Sequence, residues 1–193
     1  MRLLAIILAS TMLSATSFAE QALNQEDLEI LLKTKIRSVQ HMALNPTVIR
    51  AARGQNSENL TLEEIQKRDS EWKQTESLTH YKRSLQENSA GRFLKRMVGL
   101  NKTFNEAFLT DNQGANVAAY PATSDYWQGD EEKWSESFNG GNGIIFLGPL
   151  EYDESTKAYA VQISAPLHDR GETIGVLVVG VTVDYLEAKR NSQ

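Results

Sequence analysis

Residues 108–134 read FLTDNQGANVAAYPATSDYWQGDEEKW, and residues 174–186 read IGVLVVGVTVDYL. The first stretch carries a strand, an Asn112-Gln113-Gly114 turn, a second strand and a short acidic helix. The second closes a run of three β-rich segments. Strand, turn, strand, short helix and three-strand meander is an order that builds an antiparallel half-barrel. In such an arrangement the short helix and its flanking loop lie over one sheet face and can roof a small-molecule pocket.

Upstream of residue 100 the period changes from two to three and four. Asn24 can cap a helix along which Leu28, Leu31, Leu32, Ile36, Val39 and Met42 recur at helical steps. It stops at Asn45-Pro46, because a residue before proline avoids the α region. A short helix fits Thr47 to Arg53, closed by Gly54. Thr61-x-x-Glu64 is a capping box that opens a helix through Ile65 and Trp72. Further helices fit Leu78 to Gln86 and Ser89 to Val98, with Phe93, Leu94, Met97 and Val98 on one face. Strands then fit Ala115 to Tyr120, Ile144 to Leu147, Tyr159 to Leu167 and Thr173 to Val183. The Asp153–Lys157 and Asp169-Arg170-Gly171 turns join the last three. A helix capped by Asp130 runs to Phe138, with Trp134 and Phe138 stacked four apart, and Asp184-Tyr185-Leu186 starts a C-terminal helix. The fold class is therefore α+β, helices first and one antiparallel sheet after them. The long first helix is a strut behind the sheet or a dimerisation face, and its apolar stripe favours the strut.

The ends and the composition narrow the setting. Arg2, the apolar run Leu3 to Leu13 and Ser17-Phe18-Ala19 form a secretory leader over residues 1–19, cleaved to leave Glu20. No later apolar run is long enough for a membrane span, so the expectation is a periplasmic protein with no membrane insertion after cleavage. Residues 20–193 are enough for one domain: a helical lead-in over 20–100, a sheet over 101–186 and a tail over 187–193. The chain has no cysteine, so an exported fold must hold together without disulfides, and thiolate metal sites and cysteine nucleophiles are excluded. The formal charge of -5 becomes one unit more negative when Arg2 leaves with the leader. An acidic chain without basic clusters is a poor partner for nucleic acid.

No catalytic constellation stands out. His41, His80 and His168 lack metal-ligand spacing. Glu131-Glu132 and Asp153-Glu154 are adjacent in polar segments, whereas acid–base work needs carboxylates that face one bond from separate environments. Gly140, Gly141 and Gly143 lack the Lys-Ser/Thr of a phosphate loop. The expectation is a non-enzyme with no cofactor. The densest chemistry is aromatic and polar together: Tyr120, Asp125, Tyr126, Trp127 and, on the helix, Trp134. Aromatics in a strand-to-helix loop must pack on something, either as walls of a ligand cavity or as a plug in it.

Those residues also carry a resemblance. TDNQGANVAAYPATSDYWQGDEEKW (110–134), STKAYAVQISAPLHDRGETIGVLVVGVTVDYL (155–186) and ALNPTVIRAARGQNSENLTLEEIQKRDSEW (43–72) resemble the extracytoplasmic PDC or Cache sensor domains, which are PAS-like. The sequence looks closest to stand-alone periplasmic members. The resemblance implies a long helix behind a central antiparallel sheet, in a single PDC/Cache module. Between the sheet and the short helix it implies a pocket for amino acids, carboxylates, amines or other small metabolites. Amino-acid readers of this kind use Arg-x-Trp-aromatic for the carboxylate and an aspartate ending the last strand for the ammonium. Trp134 and Asp184 fit two of those places, but Glu132 stands where the arginine would be and Ser135 replaces the aromatic. Loss of the bidentate clamp favours an amine or an uncharged polar ligand. The expected site is thus Tyr120, Asp125, Tyr126, Trp127, Trp134 and Asp184, in a sensor that relays its signal to a membrane receptor or kinase ectodomain. A homodimer is compatible with this reading. The alternative is a ligand-free interaction module whose pocket Trp127 and Trp134 plug.

Overall fold

The computed structural model describes residues 25–153 and 158–183, with side chains from 30 onward except that of 153. The leader, the Asn24 cap, the Asp153–Lys157 turn, Asp184, the C-terminal helix and the tail lie outside the described residues. Five helices precede the sheet: α1 (Gln25–Ala43), α2 (Pro46–Asn56), α3 (Leu62–Lys73), α4 (His80–Glu87) and α5 (Ser89–Leu100). The sheet holds β1 (Phe104–Thr110), β2 (Asn116–Tyr120), β3 (Phe146–Asp153), β4 (Ala158–Asp169) and β5 (Glu172–Thr182). Its order is β2-β1-β5-β4-β3 with every pairing antiparallel, and α6 (Glu132–Phe138) crosses between β2 and β3. The α+β class and the helices-first order are as the sequence implies.

Local chemistry sets the helix starts. The Asn45 side chain accepts from the Thr47 N–H at 2.9 Å and Pro46 takes the first helical turn, where its missing N–H costs nothing. Thr61 and Glu64 form the reciprocal capping box. Asn88 ends α4 and caps α5, accepting from Gly91 N–H at 2.8 Å. Residue 91 is glycine because a Cβ there would come 2.2 Å from the Leu85 carbonyl oxygen, so α4 and α5 meet backbone to backbone.

Several boundaries differ from expectation, some for tertiary and some for local reasons. α2 continues through Gly54 because its extra turn is rewarded: Gln55 donates to Asp111 and to the Ala115 carbonyl, and Asn56 donates to the Ile174 carbonyl. α4 begins at His80, since Thr79 rather than an earlier residue supplies the cap. α6 begins at Glu132, and neither Asp130 nor Glu131 caps it through a side chain. β3 runs to Asp153, as a register shift between Leu147 and Leu150 carries the ladder past Gly148-Pro149.

The sheet is buried on two faces. Against one pack α1, α2 and α5, closing a core that includes Val39, Val48, Leu94, Leu109, Ile163, Leu177 and Val179. On the other, Phe108, Ala119, Val176 and Val178 meet Trp134 and Phe138 of α6. A bulge between Phe104 and Glu106 assigns the faces on β1: Phe104 and Ala107 join the large core, while Phe108 turns to the α6 side.

Asp111 pins the β1–β2 corner. One carboxylate oxygen accepts from the Gln113 and Ala115 amides at 2.8 and 2.9 Å, the other from Gln55 Nε2 at 2.8 Å. Burial, which outweighs these bonds, raises its pKa from 3.8. Asp111→Ala leaves two amides unpaired and is expected to cost about 2–4 kcal/mol in urea unfolding. Asp111→Asn keeps the amide acceptor. The folded chain holds the Asp111 proton more tightly than the unfolded chain does. Wild-type stability relative to Asp111→Asn should therefore be greatest below pH 3.8 and decline as pH rises through the folded value.

Candidate ligand-binding cavity

The segment from Pro121 to Glu131 leaves β2, crosses the α6 side of the sheet and is stitched at nearly every residue. Asn116 Nδ2 donates to Thr123 Oγ1 at 2.8 Å and to the Asp125 carbonyl at 3.1 Å. The Thr123 hydroxyl donates to the same carbonyl at 2.6 Å. α3 supplies the rest: Trp72 Nε1 donates to the Thr123 carbonyl at 2.9 Å. Asp69 Oδ1 accepts from the Tyr126 and Trp127 amides at 2.9 and 3.1 Å, and its other oxygen pairs with Lys73 Nζ at 2.7 Å. The Asp69 hydrogen bond raises the Lys73 pKa above its ordinary value.

The loop side chains then diverge. Tyr126 is fully buried, its ring 5.9 Å from Trp72 and 5.7 Å from Tyr81, beneath α3 and α4. Burial, helped by Tyr81, pushes its hydroxyl well above the usual phenol range. Trp127 donates from Nε1 to the Gln113 carbonyl at 2.8 Å and packs on Gly129, where a Cβ would lie 2.4 Å from that nitrogen. Trp134 stacks on Phe138 with centroids 4.8 Å apart and reaches the Asp111 carbonyl at 3.3 Å. Tyr120 lies on the other sheet face, in the large core, with Lys95 Nζ 5.4 Å from its ring centroid.

A cavity of about 660 Å³ opens under this loop, a size suited to a small metabolite. Its floor is Glu106, Phe108 and Gln162 from the sheet. Its roof is 121–125 with Gln128, and its walls come from Lys73 to Lys82 and from Lys133 on α6. Of the expected site residues that are described, only Asp125 lines it, and Asp184 lies outside the described residues. The carboxylate of Asp125 accepts from Gln128 Nε2 and stands 3.9 Å from Lys73 Nζ. Lys82 is 4% exposed, donates to the Thr75 carbonyl and lies 5.0 Å from the Trp72 ring centroid. Gln162 Nε2 donates to Glu106 Oε1 at 2.8 Å. Lys133 Nζ stands 5.8 Å from the Phe108 ring centroid and makes no ion pair among the described residues. The lining therefore mixes three ammonium groups with the carboxylates of Glu76, Glu106 and Asp125.

Sequence reasoning passed over Asp69, Lys82, Lys133, Glu106 and Gln162. Two of these left a signal: Asp69 sits between Ile65 and Trp72 on the buried stripe of α3, and Lys82 sits three before Leu85 on that of α4. A charge inside an apolar stripe needs a buried partner. Glu106 left none, because the bulge that turns it is not visible in the residues.

No protein-family model matches the sequence, and no curated protein matches it. Among solved structures the chain is similar to ligand-binding sensory domains of chemoreceptors and histidine kinases. The sensory domain of the Campylobacter jejuni chemoreceptor Tlp3 with isoleucine bound matches at 17% identity and a TM-score of 0.42, over 92% of this chain and 68% of that one. The V. cholerae histidine kinase DctB sensor domain matches at 14% and 0.39, over 62% and 48%. An extracellular ligand binding receptor from Desulfohalobium retbaense matches at 14% and 0.41, over 74% and 25%. The chain thus spans from a quarter to about two thirds of the length of these structures.

Asp69→Ala strands the Tyr126 and Trp127 amides, and is expected to cost about 3 kcal/mol. Asp69→Asn keeps the acceptor and should cost about 1 kcal/mol. Amide hydrogen exchange at Tyr126 and Trp127 checks the origin: it should accelerate in the alanine variant far more than exchange at the β5 amides.

Proposed function

We propose that this chain is a periplasmic sensing domain that binds a small polar metabolite non-covalently in the cavity under the Pro121–Gln128 loop. The observation that carries the reading is the cavity itself, about 660 Å³, roofed by a pinned loop and lined by opposed charges. Glu106 and Asp125 suit an ammonium group. Lys133, whose only described contact is the Phe108 ring, suits a carbonyl or carboxylate acceptor. An amine that also carries such an acceptor satisfies both ends. The lining offers hydrogen bonds and charge without an activated nucleophile, so the reading is of binding and not of catalysis. Trp127 and Trp134 are committed to the Gln113 carbonyl and to Phe138, outside the cavity, so nothing favours the plugged interaction module.

Signalling then requires a ligand that binds two conformations unequally. The loop and α6 bring Asp125 and Lys133 to the ligand, so a shift between those two elements would carry the difference, and the readout is contact with a membrane receptor or kinase ectodomain. No helix among the described residues is long and apolar enough to cross a membrane.

A thermal-shift screen of the purified chain against amines, amino acids, carboxylates and neutral metabolites tests the proposal. A true ligand at one hundred times its Kd should raise Tm by about 5–10 °C. Asp125→Ala and Lys133→Ala should each abolish that rise; the unliganded Tm should stay within about 2 °C in Lys133→Ala and fall by about 2–6 °C in Asp125→Ala, which takes the carboxylate acceptor from the buried Gln128. No rise with any compound, or a rise that survives both substitutions, would refute it.

A further inference from the structure

A second cavity, about 670 Å³, lies outside the helices, between α2, α3, α4 and the start of α5, with Val117 of β2 at its base. Nothing in the reading of the first cavity uses it. Two guanidinium groups face it, Arg50 from α2 and Arg68 from α3, and neither forms an ion pair among the described residues. The carboxylate that lines it, Glu58, is exposed and lies outside salt-bridge range of both. Asn88, Ser89 and Ala90 complete the lining, so the first turn of the twelve-residue helix α5 opens on the same space. The Asn88 side chain is spent on Gly91 and on the Val117 carbonyl, which leaves the Ser89 and Ala90 amides without helical partners.

A further polar group waits behind the wall. Among the described residues the fully buried Tyr126 hydroxyl has no hydrogen-bond partner. Its ring centroid lies 5.7 Å from that of Tyr81, which lines the groove together with Arg68. A buried hydroxyl without a partner is uncommon in folded chains and costs stability. Guanidinium groups suit oxyanions because their planar donors match two oxygens at once, and amides at a helix start add favourable dipoles.

We infer that this groove is a second binding site, for a small oxyanion bearing carboxylate or phosphoryl groups, gripped by Arg50 and Arg68 against the first turn of α5. The site is separate from the cavity under the loop and stands or falls independently of it.

The test is the unfolding temperature of the purified chain in inorganic phosphate and in malonate, each at constant ionic strength set with sodium chloride. At least one anion should raise Tm saturably at millimolar concentration, and which of the two does so tells phosphoryl from carboxylate. The rise should persist in Asp125→Ala, and Arg50→Gln and Arg68→Gln should each weaken the apparent affinity about tenfold or more. Arg68→Lys, which keeps the charge and loses the fork, should fall between. Arg50 is exposed on α2, so its substitution leaves the fold intact and decides the matter even where Arg68→Gln does not fold. An equal rise in Arg50→Gln, a rise no larger than chloride gives, or no rise at all would overturn the site.

Discussion

The Asp69 carboxylate is the constraint on which the candidate site depends. It is 7% exposed, and a carboxylate so placed is expensive unless each oxygen is satisfied. Here one oxygen takes two consecutive loop amides and the other takes an ammonium. Consecutive amides held on one acceptor fix the path of the chain at Tyr126 and Trp127. From that fixed point Tyr126 drops under α3 and α4, Trp127 turns to the β1–β2 corner, and Asp125 is left facing the cavity. The capping box at Thr61 and Glu64 matters for the same reason, because it sets where α3 begins and so where Asp69 and Trp72 point.

The sheet divides labour between its faces. One face buries its apolar residues against α1, α2 and α5 and supplies most of the core. The other is only partly covered, by α6 and the loop, and the uncovered part is floored by Glu106, Phe108 and Gln162. A partly covered face is where a fold can hold water or a ligand without losing its core. Opposed charges surround that space: Lys73, Lys82 and Lys133 on one side of the balance, Glu76, Glu106 and Asp125 on the other.

Much of the fold was legible in the residues, and much of the site was not. The capping box, the Asn45-Pro46 break and the switch from helical to alternating period are local signals, and they gave the helices, the antiparallel strands that follow them and the stacked Trp134–Phe138 pair, but not the β1–β5 pairing that sets the strand order. The aromatic loop was legible as a place but not as a set of roles. Large aromatics say that something is packed, and here Tyr126, Trp127 and Trp134 are packed as anchors, while Tyr120 packs on the far face. The groups that line the cavity are polar, ordinary in sequence and brought together by tertiary pairing. Glu106 depends on a bulge, Gln162 on the β4–β5 register, and Lys133 on the angle at which α6 crosses Phe108. None of those is a local property.

The most direct measurement of the central claim is an amide NMR titration of the chain with small amines, amino acids and carboxylates. The account predicts saturable shift changes gathered at Glu106, Phe108, Thr123 to Gln128, Lys133 and Gln162, with the Val39 and Leu94 region unchanged. Saturable changes that avoid those residues, or none at millimolar concentration across the set, would contradict it.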